Sequence, residues 1–353
     1  MAQPGFFDFE KRQEALSKDG DPLVLLAAHV DFEMFRSPLV KALNFSRDRV
    51  GRGRPPHDPV LMFKILILQS LYDLSDESAE FQIKDRLSFM RFLKLNLWDV
   101  VPDAKTIWLY RERLKDHIDG LFALFNGALK EKGYLAMGGQ IVDASVVKAP
   151  RQRLSEGEKE AVKSGKSACD IWENAAKARQ KDVEARWRVK QTRPKIARHI
   201  PLAMPEFGYK NHISIDRQYG FVRTFQVSHA ASFDGKHLVA LVSKDNTCSK
   251  VWGDSAYFSR DNQNYLKDKG FVSHIHRKKP KGKPMGAHIL RANGKRSKIR
   301  SAVEHVFAAQ KHRFGVFVRT IGLARARLKI GLVNLAYNMK RLVFHEEKAL
   351  STG

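Results

Sequence analysis

The sequence predicts a mixed α/β sheet flanked by helices and preceded by an all-helical segment. Three observations predict it. Residues 1–135 read almost wholly as helix. β-branched apolar runs begin only near residue 136. From there, three strand-like runs come in succession and then alternate with helical ones. Sequential antiparallel strands followed by strand–helix alternation make a mixed sheet. We divide the 353 residues into a helical segment (1–135), a sheet segment (136–345) with a basic insertion at 151–206, and a tail (346–353). That length suffices for two units and a sizeable core.

The helices are justified in order. In "HDPVLMFKILILQSLYDL" (57–74), Asp58 is the expected N-cap and Pro59 takes the first helical position, where its missing N–H is harmless. "SDESAEFQIKDRL" (75–87) opens on Ser75 as cap, with acids in its first turn that suit the helix dipole. "SFMRFLKL" and "PDAKTIWLYRERLKDHI" continue the pattern, and "SRDRVGRGRPP" (46–56) ahead of them is a basic loop broken by Gly and Pro.

"GGQIVDASVV" (138–147) is a β-branched run bounded by glycines, hence a strand. The insertion that follows is charged, poor in apolar residues and only partly helical; it reads as a long arm outside the core. Strands resume with "YKNHISID" and "FVRTFQVSHA", joined by a hairpin at "RQYG". "FDGKHLVALVSK" has helical spacing, "KVWGDSAY" is a short strand ending in a turn, and "SRDNQNYLKDKG" is a helix capped by Ser259 and stopped at Gly270. "FVSHIHRK" is a further strand. A basic loop, "KPKGKPMGAHILRANGKRSK", then leads into a helix at 296–314, and "ARARLKIGLVNLAYNMKRLVF" is a last amphipathic helix.

Composition narrows the function. A net charge of +25 with pI near 10 favours a polyanionic partner, nucleic acid first, over a generally basic protein of ribosomal type. No apolar run reaches the ~18 residues of a membrane span. "MAQPGFFDFEKRQEAL" lacks a signal-peptide core, so no export is expected. Cys169 and Cys248 lie far apart without CxxC spacing, which suggests a reducing compartment.

One acid stands out against this charge. From Lys269 to His345 there are 19 Lys and Arg and a single carboxylate, Glu304. At ~100° per residue, Arg300, Glu304 and Lys311 share one helix face, beside an apolar face of Val303, Val306, Phe307 and Phe314. Asp143 falls on the "QIVD" strand and Asp254 at the end of "VWGD", and open α/β sheets gather ligands at strand ends. Taken singly, Arg300–Glu304 is an ordinary surface ion pair and Asp254 a turn residue. Taken together, three converging acids in a cationic protein make a site for hard divalent cations. Mg²⁺ prefers oxygen ligands, and two such ions ~4 Å apart serve in-line phosphoryl transfer.

These stretches resemble the DDE transposases of bacterial insertion sequences, specifically the insertion-sequence-five group. "GRPPHDPVLMFKILILQSLYDLSD", "DRLSFMRFL" and "VPDAKTIWLYRERL" are similar to its N-terminal helical domain. "GGQIVDAS", "GYKNHISID", "WGDSAYFS" and "RSAVEHVFAAQKHRFG" are similar to its catalytic core. The resemblance implies a ribonuclease-H-like fold, with Asp143, Asp254 and Glu304 binding two Mg²⁺ ions for which Mn²⁺ substitutes. It implies hydrolysis at the ends of a mobile element, followed by attack of the 3′-hydroxyls on target DNA. It implies DNA contacts by Arg300 and Lys311, to which we add Lys298 and Arg296. The implied setting is the bacterial cytoplasm at the nucleoid, with double-stranded DNA (terminal inverted repeats and target) and a homodimeric synaptic complex. The helix signature departs at one position, where Ser297 stands for tyrosine.

Other features keep two readings. "SRDRVGRGRPP" fits a phosphate backbone, a minor groove or a solvated linker. Lys105, Arg111, Arg113 and Lys115 fit a recognition helix or the charged face of a structural one. Trp187 in "EARWRVK" fits base stacking or anchorage of the arm. His274 and His276 alternate on one strand like a metal pair but without a third ligand, and read as solvent-facing or structural; Lys210 and His212 fall near the site without assigned chemistry. The rival functions are a domesticated, catalytically silent DNA-binding protein and a metal-dependent DNA nuclease.

Overall fold

A computed structural model describes residues 8–18, 20–43, 56–191, 203–280 and 282–352. The basic loop at 46–56, all but Pro56, lies outside them, as do residues 192–202 of the insertion. The chain forms two compact units, residues 1–125 with 332–353, and residues 126–331. Among the described residues no helix is long and apolar enough to cross a membrane.

The first unit is helical: α1 (Asp8–Lys18), α2 (Pro22–His29), α3 (Arg36–Ala42), α4 (Pro59–Tyr72), α5 (Asp76–Asp85), α6 (Leu87–Leu93), α7 (Ala104–Leu114) and the start of α8 (Ile118–Glu131). Asp58 accepts from the Val60 and Leu61 amides and Ser75 from that of Ser78, as the sequence predicts for the caps. α4 is buried on nearly every face and centres this unit. Its one cation, Lys64, lies between the Phe32 and Phe92 rings and donates to the Phe92 carbonyl at 3.1 Å. On α7, Arg111 closes a two-bonded pair on Asp76 (2.6 and 2.8 Å) and the Tyr110 hydroxyl donates to the Pro59 carbonyl at 2.6 Å. These bonds give α7 a structural role within its unit.

The second unit carries the sheet: β1 (Gln140–Lys148), α9 (Glu156–Lys163), α10 (Ala168–Ile171), α11 (Ala175–Gln180), β2 (Arg186–Gln191), β3 (Ala203–Asp216), β4 (Val222–His229), α12 (Leu238–Leu241), β5 (Lys250–Gly253), α13 (Arg260–Asp268), β6 (Val272–Ile275), α14 (Ala287–Arg300), α15 (Ala302–Ala308) and α16 (Leu323–Thr352), which runs on into the first unit. β3 pairs antiparallel with β1 and β4 over the same residues, so they flank it. β5 is parallel to β1, and β6 to β5. The order β4-β3-β1-β5-β6 makes β1 the central strand.

Side chains alternate across a strand, and the two faces of β1 bury different cores. Val147 joins Tyr209, Val318, Ala326 and Ile330 on one face. Val142 joins Leu238, Val251, Tyr257, Leu266 and Ile275 on the other. Gly208 allows the close β1–β3 crossing: it adopts φ +146°, and a Cβ there would lie 2.3 Å from the Val147 carbonyl oxygen. At the β3–β4 hairpin, buried Asp216 accepts from the Tyr219 and Phe221 amides and from Arg223, which fixes the turn.

The structure departs from the sequence reading in four places. Part of the insertion is a sheet strand: β2 pairs with β3, because residues 186–191 alternate side chains in extended form. The rest forms α9–α11 around a small core of Val162, Trp172 and Ala178. Helix α14 starts at Ala287, inside the expected basic loop; within it Asn293 bonds the backbone N–H and carbonyl of Arg277, both at 3.1 Å. The expected helix at 296–314 is bent after Arg300 and ends in a π-turn at Ala309–Arg313. Finally, α16 is buried all round from Leu332 to Met339 and is not amphipathic there.

Candidate functional site

The site forms at one end of the sheet face covered by α14 and α15. Asp143 lies on this face in mid-β1, largely buried, with 15% of its side chain exposed. The β1–β5 register pairs Ile141 with Trp252, so Asp143 and Asp254 stand two residues further along neighbouring parallel strands. Asp254 ends β5 and accepts from the Ala256 amide at 2.8 Å, capping a 3-10 turn over Ser255–Tyr257. Glu304 lies in the first turn of α15, with 62% of its side chain exposed.

Arg300, at the bend between α14 and α15, joins two of these acids. Its guanidinium donates to Asp143 at 2.5 Å and to Glu304 at 3.2 Å. Burial pushes the Asp143 carboxyl up from 3.8 to about 6; Arg300 opposes that rise, and the charges of Asp254 and Asp234 add to it. Among the described residues no three His, Cys, Asp or Glu side chains stand close enough together to hold a metal ion. The strand register sets Asp143 beside Asp254, and Arg300, seated on Asp143, links it to Glu304.

The other expected DNA contacts divide. Lys298 is exposed on α14. Lys311 is exposed in the π-turn, where 100° spacing no longer fixes its face relative to Arg300 and Glu304. Arg296 donates to the Ile275 carbonyl at 2.8 Å and so fastens α14 to β6. Trp187 packs on Phe207 (ring centroids 5.2 Å apart), in keeping with anchorage of the arm. His274 stacks on Trp252 at 5.1 Å, the structural role expected of it.

The sequence did not flag two neighbours of the site, Asp234 and Tyr257, and it read a third, His276, as solvent-facing or structural. Asp234, whose charge reaches Asp143, is paired with buried Lys210 at 2.7 Å, beside His212 and His237, whose rings stack at 3.9 Å. Burial pulls His212 down to about 2. The Tyr257 hydroxyl is fully buried without a hydrogen-bond partner among the described residues. Burial and the Asp143, Asp234 and Asp254 charges raise its phenol well above the ordinary value. His276, just beyond β6, takes a 3.4 Å contact from the Ser297 hydroxyl. In "FDGKHL" the helical spacing masked Asp234, and only the strand register reveals His276.

Carboxylate oxygens at a sheet end are donors of the kind that hard divalent cations prefer, and buried Asp143 takes a positive partner, here the Arg300 guanidinium. A mixed sheet flanked by helices, behind a helical segment, is a ribonuclease-H-like architecture. A family model described as "Transposase DDE domain" matches residues 135–339, and one described as "Transposase domain (DUF772)" matches residues 10–113. The first spans more than half of the chain, which belongs to the DDE transposase family. It is a DNA transposase, acting by phosphodiester cleavage and transfer, and the family implies dependence on a divalent metal. No solved structure matches the chain.

Proposed function

We propose that Asp143, Asp254 and Glu304 are the catalytic carboxylates of an insertion-sequence transposase of the insertion-sequence-five group. The observation that carries this reading is Arg300, which ties the central-strand acid to the helix acid beside the end of β5. The three carboxylates hold Mg²⁺, two ions per site, with Mn²⁺ as substitute. When bound, these ions lend positive charge to the reacting phosphodiester and acidify a water or hydroxyl. Arg300 keeps the Asp143 carboxylate oriented. Arg300, Lys311 and Lys298 hold the DNA backbone, and Arg296 supports them by fixing α14.

In the first reaction a water oxygen attacks phosphorus at the element's end, and the 3′-oxygen leaves as a hydroxyl. In the second, that hydroxyl attacks a target phosphodiester and displaces its 3′-oxygen. The helical segment 1–135 serves DNA binding and dimerisation, and residues 136–345 serve catalysis. A homodimer joins two terminal inverted repeats, in the cytoplasm at the nucleoid. The test is cleavage of duplexes carrying the DNA that flanks the coding region, in Mg²⁺ and in chelator, by the wild type and Asp254→Asn. Cleavage needing both Mg²⁺ and Asp254 supports the reading; equal cleavage by the variant contradicts it.

A further inference from the structure

β1, β5 and β6 run parallel and side by side, and their ends deliver three side chains to one row. The registers Ile141–Trp252 and Gly253–Ile275 put Asp143, Asp254 and His276 at matching heights on adjacent strands. Neighbouring strands lie ~4.8 Å apart. Val251 and Ile275 belong to the core on the opposite face, so by alternation Trp252, Asp254, His274 and His276 point toward α14. The Trp252–His274 stack agrees with this.

His276 is held firmly in that row. Its amide donates to the Gly253 carbonyl at 3.1 Å, the last rung of the β5–β6 ladder. Arg296 holds α14 on the Ile275 carbonyl. Ser297 meets the His276 Nε2 at 3.4 Å, and Arg300, three residues further along, reaches Asp143. The ring therefore lies among the acids of the sheet end and the cations of α14. Its Nε2 meets the Ser297 hydroxyl of α14, and the charges of Arg300, Asp254 and Arg296 all reach the ring.

We propose that His276, oriented by Ser297, is a further substrate-contacting residue, its imidazole holding the phosphodiester of the DNA strand being cut. The inference rests on the reading of Asp143, Asp254 and Glu304 as the catalytic site. The test compares end cleavage by the wild type, His276→Ala, His276→Gln and Ser297→Ala with Mn²⁺ titration calorimetry on the DNA-free proteins. Loss of a hydrogen bond to a charged group lowers the rate about 10- to 100-fold, which is the loss expected of His276→Ala. Its Mn²⁺ affinity stays within about twofold, since no metal ligand is lost. His276→Gln, whose amide still donates, recovers part of the rate and carries the test should the alanine variant not fold. Ser297→Ala falls between. Wild-type cleavage by His276→Ala, alongside an inactive Asp143→Asn, overturns the proposal and leaves the site standing. So does Mn²⁺ affinity about tenfold weaker in His276→Ala, which makes the residue a ligand or outer-shell support of the metal and not a DNA contact. Undiminished cleavage by Asp143→Asn and Glu304→Gln overturns the site itself.

Discussion

Replacing Asp143 by Asn removes a charge that burial makes unfavourable, so an inactivating change stabilises the metal-free protein. The Asp143 carboxyl titrates at about 6 in the fold, against an ordinary value of 3.8. Between those pH values the folded protein holds a proton that the unfolded chain has released, so its stability falls as pH rises through the window. At 1.36 kcal/mol per pH unit, the ionised group is about 3 kcal/mol less favourable above pH 7 than a neutral one. For a unit of this size each kcal/mol moves the melting point by about 2–4 °C. The ceiling for Asp143→Asn is then a rise of about 6–12 °C at pH 8 in chelator, shrinking toward zero near pH 4. Differential scanning calorimetry at both pH values reads it. Added Mg²⁺ raises the melting point of the wild type and not of the variant. A variant that melts below the wild type at pH 8, or by the same margin at both pH values, refutes the reasoning.

Other perturbations separate catalysis from folding. Arg300→Gln removes the cation that holds Asp143 down, so the pH window of falling metal-free stability extends above 6; melting curves across pH 5–8 locate it. Asp216→Ala strips a buried turn of its acceptor and leaves Arg223 unpaired, a loss of about 3–5 kcal/mol readable by urea unfolding. Trp187→Ala removes an aromatic anchor, with a loss of about 1–2 kcal/mol and unchanged affinity for DNA ends in a mobility-shift assay. Weakened DNA affinity there would instead favour base stacking.

The sheet was legible because its strands announce themselves locally. "QIVD" and "VWGD" are β-branched or apolar runs ending in acids, and their order alone implies the mixed topology. Caps at Asp58, Ser75 and Ser259 were legible for the same reason: each side chain bonds an amide two or three residues away. β2 was missed because its partner, β3, lies beyond the basic stretch 192–202. The start of α14 was missed because Asn293 is satisfied by Arg277, sixteen residues earlier. The bend after Arg300 and the π-turn at 309–313 follow from packing, to which a regular helical period is blind. In the candidate site, the elements that carry Asp143, Asp254 and Glu304 were legible, a strand, a strand end and a helix. Asp234 neighbours the site through its ion pair with Lys210 of β3, and His276 through the β5–β6 register, and neither link is written in its own segment.

Strand transfer of pre-cleaved element ends into target DNA by Glu304→Gln, in Mg²⁺, tests the central claim most directly. The change keeps the size of the side chain and removes only the charge that would complete the carboxylate set. The account predicts DNA-end binding like that of the wild type with strand transfer lowered about 100-fold or more. Strand transfer at the wild-type rate would contradict it.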